Sequence, residues 1–136
     1  MATQGYIYDE SFIADAVVST YRVVVMGEAS EVGAQGKHCK LPAAVDADKI
    51  LGVTQHSTTA SGDTVLVRRA GLTKLEVLSG NVTAGVPLRV GDIRGMADRQ
   101  AGAWLSGDGV IGYAEEASAA SGDVIECWLA IRTLLA

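Results

Sequence analysis

Residues 50–70 read ILGVTQHSTTASGDTVLVRRA, and residues 110–130 read VIGYAEEASAASGDVIECWLA. Gly52 and Gly112, and likewise Asp63 and Asp123, stand at a constant offset of 60 (112 minus 52, 123 minus 63). Each copy is an apolar run containing Gly, a polar stretch of small residues, the tetrapeptide Ala-Ser-Gly-Asp, and a second apolar run. That order predicts a strand, a connecting loop and a strand. A repeat built of strands and small-residue loops points to a structural module rather than a catalyst.

The flanking sequence fits the same class. Tyr21 to Met26 (YRVVVM) is rich in β-branched residues and predicts a strand. Its lack of alternation implies burial on both faces. Gly27 to Gly36 reads as a loop or hairpin. From Lys37 to Leu41 the chain alternates, with Cys39 and Leu41 on one face and His38 and Lys40 on the other. Asp63–Arg69 and Thr73–Val77 read as two strands separated at Gly71. Residues 94–108 read as a loop holding one short strand near Trp104. In the last strand, Ile125, Cys127, Leu129 and Ile131 share the core face, and Glu126, Trp128, Ala130 and Arg132 share the other. The expected fold is all-β, a small barrel or β-tulip-like sandwich of roughly eight to ten strands. Residues 1–20 are expected to be an extended N-terminal arm, and residues 21–136 a single β-domain carrying the repeat at 50–70 and 110–130. Four of the seven aromatic residues, Tyr6, Tyr8, Phe12 and Tyr21, fall in the first 21 positions. A strap over the protein's own core is the alternative reading of that segment.

Composition narrows the function classes. A chain of 136 residues with net charge −5 and no basic block lacks the clustered Lys and Arg that neutralise phosphates. Neither a nucleic acid nor an anionic membrane is an expected partner. No stretch reaches the ~20 apolar residues of a membrane span. The first residues carry no basic, apolar leader, so synthesis in a cytosol is expected. The two cysteines, Cys39 and Cys127, are expected as free thiols there.

Candidate chemistry is sparse. His38 and Cys39 are adjacent on a strand and point to opposite faces, so they do not readily chelate one ion. His56 in the first copy is replaced by Glu116 in the second, and Val67 by Cys127. Neither pair argues for a reactive group required twice. The Ser61–Asp63 and Ser121–Asp123 sites are expected to make turns, with Gly supplying the backbone angles and Ser and Asp bonding to backbone. The acidic pairs Asp9-Glu10 and Glu115-Glu116 lack the run of oxygen ligands calcium needs. No catalytic residue, no cofactor site and no metal site is expected. The residues that suggest contact with a partner are Tyr6, Ile7, Tyr8 and Phe12 near the N-terminus and Trp128 on the face opposite the core set. Aromatic side chains supply much contact area at low entropic cost.

In order, Tyr21-Arg22-Val23-Val24-Val25, Ile50-Leu51-Gly52-Val53, Gly62-Asp63, Ala70-Gly71-Leu72, Thr83-Ala84-Gly85-Val86-Pro87-Leu88, Arg94-Gly95, Ile111-Gly112-Tyr113-Ala114 and Gly122-Asp123 resemble the tailed-phage capsid decoration, or cement, proteins. The match at Pro87 is loose. The resemblance implies a β-barrel or β-tulip fold and a homo-oligomer, often a trimer, on the outer capsid surface of the virion. The implied partner is the major capsid protein, whose subunits the protein would bridge, stabilising the capsid. It implies no enzymatic activity. Two other readings stand beside it: another virion component, such as a head-fibre base or tail module, and a small-ligand-binding β-barrel.

Overall fold

The computed structural model describes residues 7–27, 36–43, 50–99 and 109–133. Among these residues the fold is all-β, with strands β1 (Tyr8–Ala14), β2 (Val23–Met26), β3 (His38–Lys40), β4 (Ile50–Thr54), β5 (Thr64–Glu76), β6 (Pro87–Val90), β7 (Ala97–Arg99), β8 (Gly109–Ala114) and β9 (Val124–Thr133).

The strands form two rings. In the first, the pairing order β1-β3-β2-β4-β5 closes because β1 also pairs with β5. In the second, β5 pairs with β9, β9 with β8, β8 with β6 and β6 with β7. A parallel bridge from Val77 to Ala97 then returns β7 to the end of β5. The 13-residue β5 therefore serves both rings, its first half in barrel 1 and its second half in barrel 2. The residue pattern predicts two strands here, parted at Gly71. The structure instead carries one strand through Gly71, whose φ of 97° only glycine adopts without strain.

The duplication spans far more than residues 50–70 and 110–130. Phe12 pairs with Val65 and Leu75 with Ile125, so β1 corresponds to the second half of β5 at an offset of 63 (75 minus 12). Val24 pairs with Gly52 and Leu88 with Gly112, so β2 corresponds to β6 at 64 (88 minus 24). Met26 pairs with Cys39 and Val90 with Ala97, so β3 corresponds to β7 at 58 (97 minus 39). The barrel cores match in the same way. Phe12, Ala14, Val18, Val24, Cys39, Leu51, Val65 and Val67 fill barrel 1. Leu75, Val77, Val82, Leu88, Ala97, Ile111, Ile125 and Cys127 stand at the equivalent places in barrel 2. Gly52 and Gly112 are also equivalent. A Cβ on either would lie about 2 Å from a carbonyl oxygen, that of Arg68 or Trp128, so the strand crossing requires glycine twice.

Residues 8–14 are not a free arm. Tyr8 to Ile13 pairs antiparallel with β5, and Ile13 and Ala14 pair in parallel with His38 and Cys39. The alternation of apolar residues in this segment is that of a wall strand, and Phe12 is buried in the barrel it helps to close. Within residues 94–108 the structure has a short strand at Ala97–Arg99; the strand expected near Trp104 falls outside the described residues.

The barrels are joined by a wedge. In barrel 1, Ile13 N donates to Lys37 O at 2.7 Å and closes the ring directly. The equivalent atoms of barrel 2, Glu76 N and Gly95 O, are parted by residues Tyr21 to Val23 of barrel 1. Glu76 N donates to Tyr21 O at 3.1 Å, and Val23 N donates to Gly95 O at 2.7 Å. Arg22 adds a bond to Glu76 Oε1 and one to the Arg94 carbonyl. The expected two-sided burial of the YRVVVM strand follows from this junction: Val24 faces the barrel 1 core and Val23 joins the barrel 2 core.

Candidate functional site

The equivalent positions of a duplicated fold separate scaffold from specialisation. Where both copies do one job, the job is structural. The Ala-Ser-Gly-Asp loops belong here: Asp63 Oδ2 accepts from the backbone N–H groups of Thr59 and Ala60, and Asp123 Oδ2 from those of Ala119 and Ala120. These bonds hold the Asp63 carboxyl below its usual range. His56 and Glu116, unlike in chemistry, do the same work: His56 Nε2 accepts from Leu66 N at 3.1 Å, and Glu116 Oε1 accepts from Glu126 N at 2.8 Å. Cys39 and Cys127 both lie in barrel cores, and burial pushes each thiol up to about 12. Both are free. Among the described residues no group of three or more His, Cys, Asp or Glu could hold a metal ion.

Away from the barrel junction, two differences between the copies bear on a surface. The first is the outer face across β5, β9 and β8. Barrel 2 presents Leu72, opposite Trp128, which in turn lies opposite Tyr113. Leu72 is 37% exposed and Trp128 39%. The equivalent positions of barrel 1 are Asp9, Arg68 and Val53, and there the Arg68 guanidinium bonds both oxygens of Asp9 at 2.8 and 3.1 Å. Ile7 and Leu72 line one shallow cavity beside this stripe, with Tyr21, Gln55 and Lys74.

The second is the mouth of barrel 1. A cavity of about 350 Å³ opens there, floored by Phe12, Leu51 and Met26 and rimmed by Glu10, Lys37 and Arg69. Glu10 is bonded by both Lys37 and Arg69, and the Arg69 guanidinium stacks 5.8 Å from the Phe12 ring centre. His38, at the same mouth, is buried and bonds Asp15 Oδ1 through Nδ1 at 2.6 Å. Asp15 Oδ2 is buried with no hydrogen-bond partner.

The four described residues of the five expected at a partner surface do not form one patch: Ile7 lies beside the stripe of Trp128, and Phe12 at the barrel 1 mouth. Ile7 and Tyr8 are exposed at the start of β1, Phe12 forms the mouth floor, and Trp128 lies in the outer stripe. Tyr6 lies outside the described residues. Sequence reasoning did not single out Met26, Arg69 or Leu72, whose signal appears only when the two copies are aligned across the whole fold.

No protein-family model matches the chain, and no curated protein sequence does. Among solved structures, the chain is similar to the N base of head fiber gp8.5 in bacteriophage phi29, with 21% sequence identity and a TM-score of 0.63. The match covers 95% of this chain and 98% of that one. At that identity the likeness shows the fold: this chain and the phi29 head-fiber base share one β-architecture from end to end.

Proposed function

We propose that the protein is a structural component of a phage virion, seated on the head, and that it acts there as a base-type module of the head-fiber kind. The observation that carries the reading is the end-to-end fold likeness to the phi29 head-fiber base, which leaves almost no part of either chain unmatched. The resemblance to capsid decoration proteins supports the same broader class. Of the two, the fold likeness favours the fiber base over a cement protein that bridges major capsid subunits. Trp128, Leu72 and Ile7 are the outward residues offered for contact with a neighbour.

The test is to label the protein with gold-tagged antibody on intact virions of the phage that encodes it, and to image them by cryo-electron microscopy. Label on the head at the roots of projecting fibers is the expected result. Label confined to the tail, or absent from virions, refutes the proposal. Label spread over the shell without fibers would favour decoration instead.

A further inference from the structure

The mouth of barrel 1 has a counterpart whose occupant is visible. In barrel 2 the equivalents of Glu10, Phe12, Met26, Leu51 and Arg69 are Thr73, Leu75, Val90, Ile111 and Leu129, all buried. They are covered by barrel 1 itself. Val23, Ile50 and Val53, which project outward from β2 and β4, form one apolar cluster with Leu75, Val90, Ile111 and Leu129. Gln55, just past β4, donates from Nε2 to Thr73 Oγ1 at 2.9 Å. In one copy of the unit, then, this mouth is a socket for aliphatic side chains carried on strands of a neighbouring barrel.

Barrel 1 keeps the socket, and no other barrel of the described residues covers it. Met26 is 55% exposed where Val90 is fully buried. Among the described residues the rim carries charge that barrel 2 lacks, with Lys37 and Arg69 against Glu10 (two cations, one carboxylate, net +1), on a chain whose net charge is −5. A surface that exposes a flexible Met and a stacked Arg over an aromatic floor has the residue types that anchor protein interfaces.

We propose that the barrel 1 mouth receives a partner protein's strand, inserting an aliphatic side chain against Phe12, Leu51 and Met26 while a neighbouring carboxylate of that strand pairs with Lys37 or Arg69. The chain's own barrel–barrel junction sets the apolar part of this recognition, and the net positive rim sets the charge of the partner. On the reading of the protein as a head module, on which this assignment rests, the partner is a subunit of the phage head.

The experiment uses the purified full chain, heads lacking it, and two variants at exposed positions of the mouth, Met26→Glu and Lys37→Glu. The second reverses the rim charge from +1 to −1. Both variants are expected to keep the wild-type melting temperature and circular dichroism, and to lose affinity for heads by about tenfold or more in co-sedimentation, the effect of losing one anchor residue. A photo-crosslinking residue at position 26 is expected to join a head subunit at an aliphatic residue adjacent to Asp or Glu. Wild-type affinity in both folded variants overturns the socket while leaving the head assignment intact. A cross-link to a second copy of the chain overturns the partner. A wild-type chain that does not bind heads at all overturns the functional reading and this assignment with it.

Discussion

The buried Asp15–His38 pair can be exchanged for the residues that barrel 2 carries in its place. Asp15 N donates to Cys39 O as Leu78 N donates to Ala97 O, and Gly27 N donates to His38 O as Gly91 N donates to Met96 O. The pair thus corresponds to Leu78 and Met96. Its side chains are 1% and 2% exposed, and one carboxylate oxygen has no partner. Breaking such a pair from one side strands a buried charge and costs about 3–5 kcal/mol, whereas replacing both partners by apolar groups is neutral or stabilising by about 1–4 kcal/mol. His38→Met alone should therefore lower stability by about 3–5 kcal/mol. At roughly 3–4 °C per kcal/mol for a chain of this size, that is a fall in Tm of about 10–20 °C. Asp15→Leu with His38→Met should recover to within about 1 kcal/mol of the wild type or exceed it, because the backbone bonds are those that barrel 2 makes around Leu78 and Met96. Guanidinium denaturation of the wild type, both single variants and the double variant gives the coupling directly. A double variant as unstable as His38→Met would refute the reasoning, since the carboxylate would no longer be there to explain the loss.

Other outcomes follow from the paired loops and crossings. His56→Glu should leave stability within about 0.5 kcal/mol of wild type, because Glu116 already serves the same N–H in barrel 2, while His56→Ala should lose about 1 kcal/mol with that bond, both read from urea midpoints. Asp63 is held below its ordinary carboxyl range chiefly by the Thr59 and Ala60 N–H groups, so it favours the fold above the unfolded value of 3.8 and ceases to do so as pH falls through its lowered folded value. Asp63→Asn should accordingly destabilise the protein near neutral pH, and the difference should vanish in strongly acidic melts. Gly52→Ala and Gly112→Ala should each cost about 2–3 kcal/mol or more, since each Cβ would strike a backbone carbonyl that cannot turn aside. Equal Tm values for either variant and wild type would refute the close crossing.

Much of this architecture was legible because glycine and apolar alternation survive duplication. The offset of 60 located β4, β8, β9 and the first half of β5, and the alternation along Ile125, Cys127 and Leu129 assigned the core face and set Trp128 outside it. The rest was hidden because equivalence in a barrel is a matter of register, not of identity. Tyr8–Ala14 and Gly71–Val77 share no residue at matched positions, yet they close the two rings with the same hydrogen bonds, Ala14 N to Asp63 O and Val77 N to Asp123 O. Tyr21 hid its counterpart in the same way. It holds a φ of 60° where Gly85 holds 88°, a conformation for which sequence reading looks to glycine. His38 was readable as structural, but its burial beside Asp15 depends on a contact 23 residues apart. The mouth of barrel 1 could not be seen without knowing that its twin is filled.

The shared strand β5 has a consequence for how the molecule can come apart. A duplicated chain is usually divisible at the join, but here the join is a wall of both halves, and residues Tyr21 to Val23 sit inside the second ring. Cutting the gene between the copies would leave barrel 1 with a dangling strand or barrel 2 with a missing stave. Loss of either barrel removes hydrogen bonds from the other, so the two are expected to melt in a single calorimetric transition. One continuous backbone, that of β5, runs from the wall of barrel 1 into the wall of barrel 2.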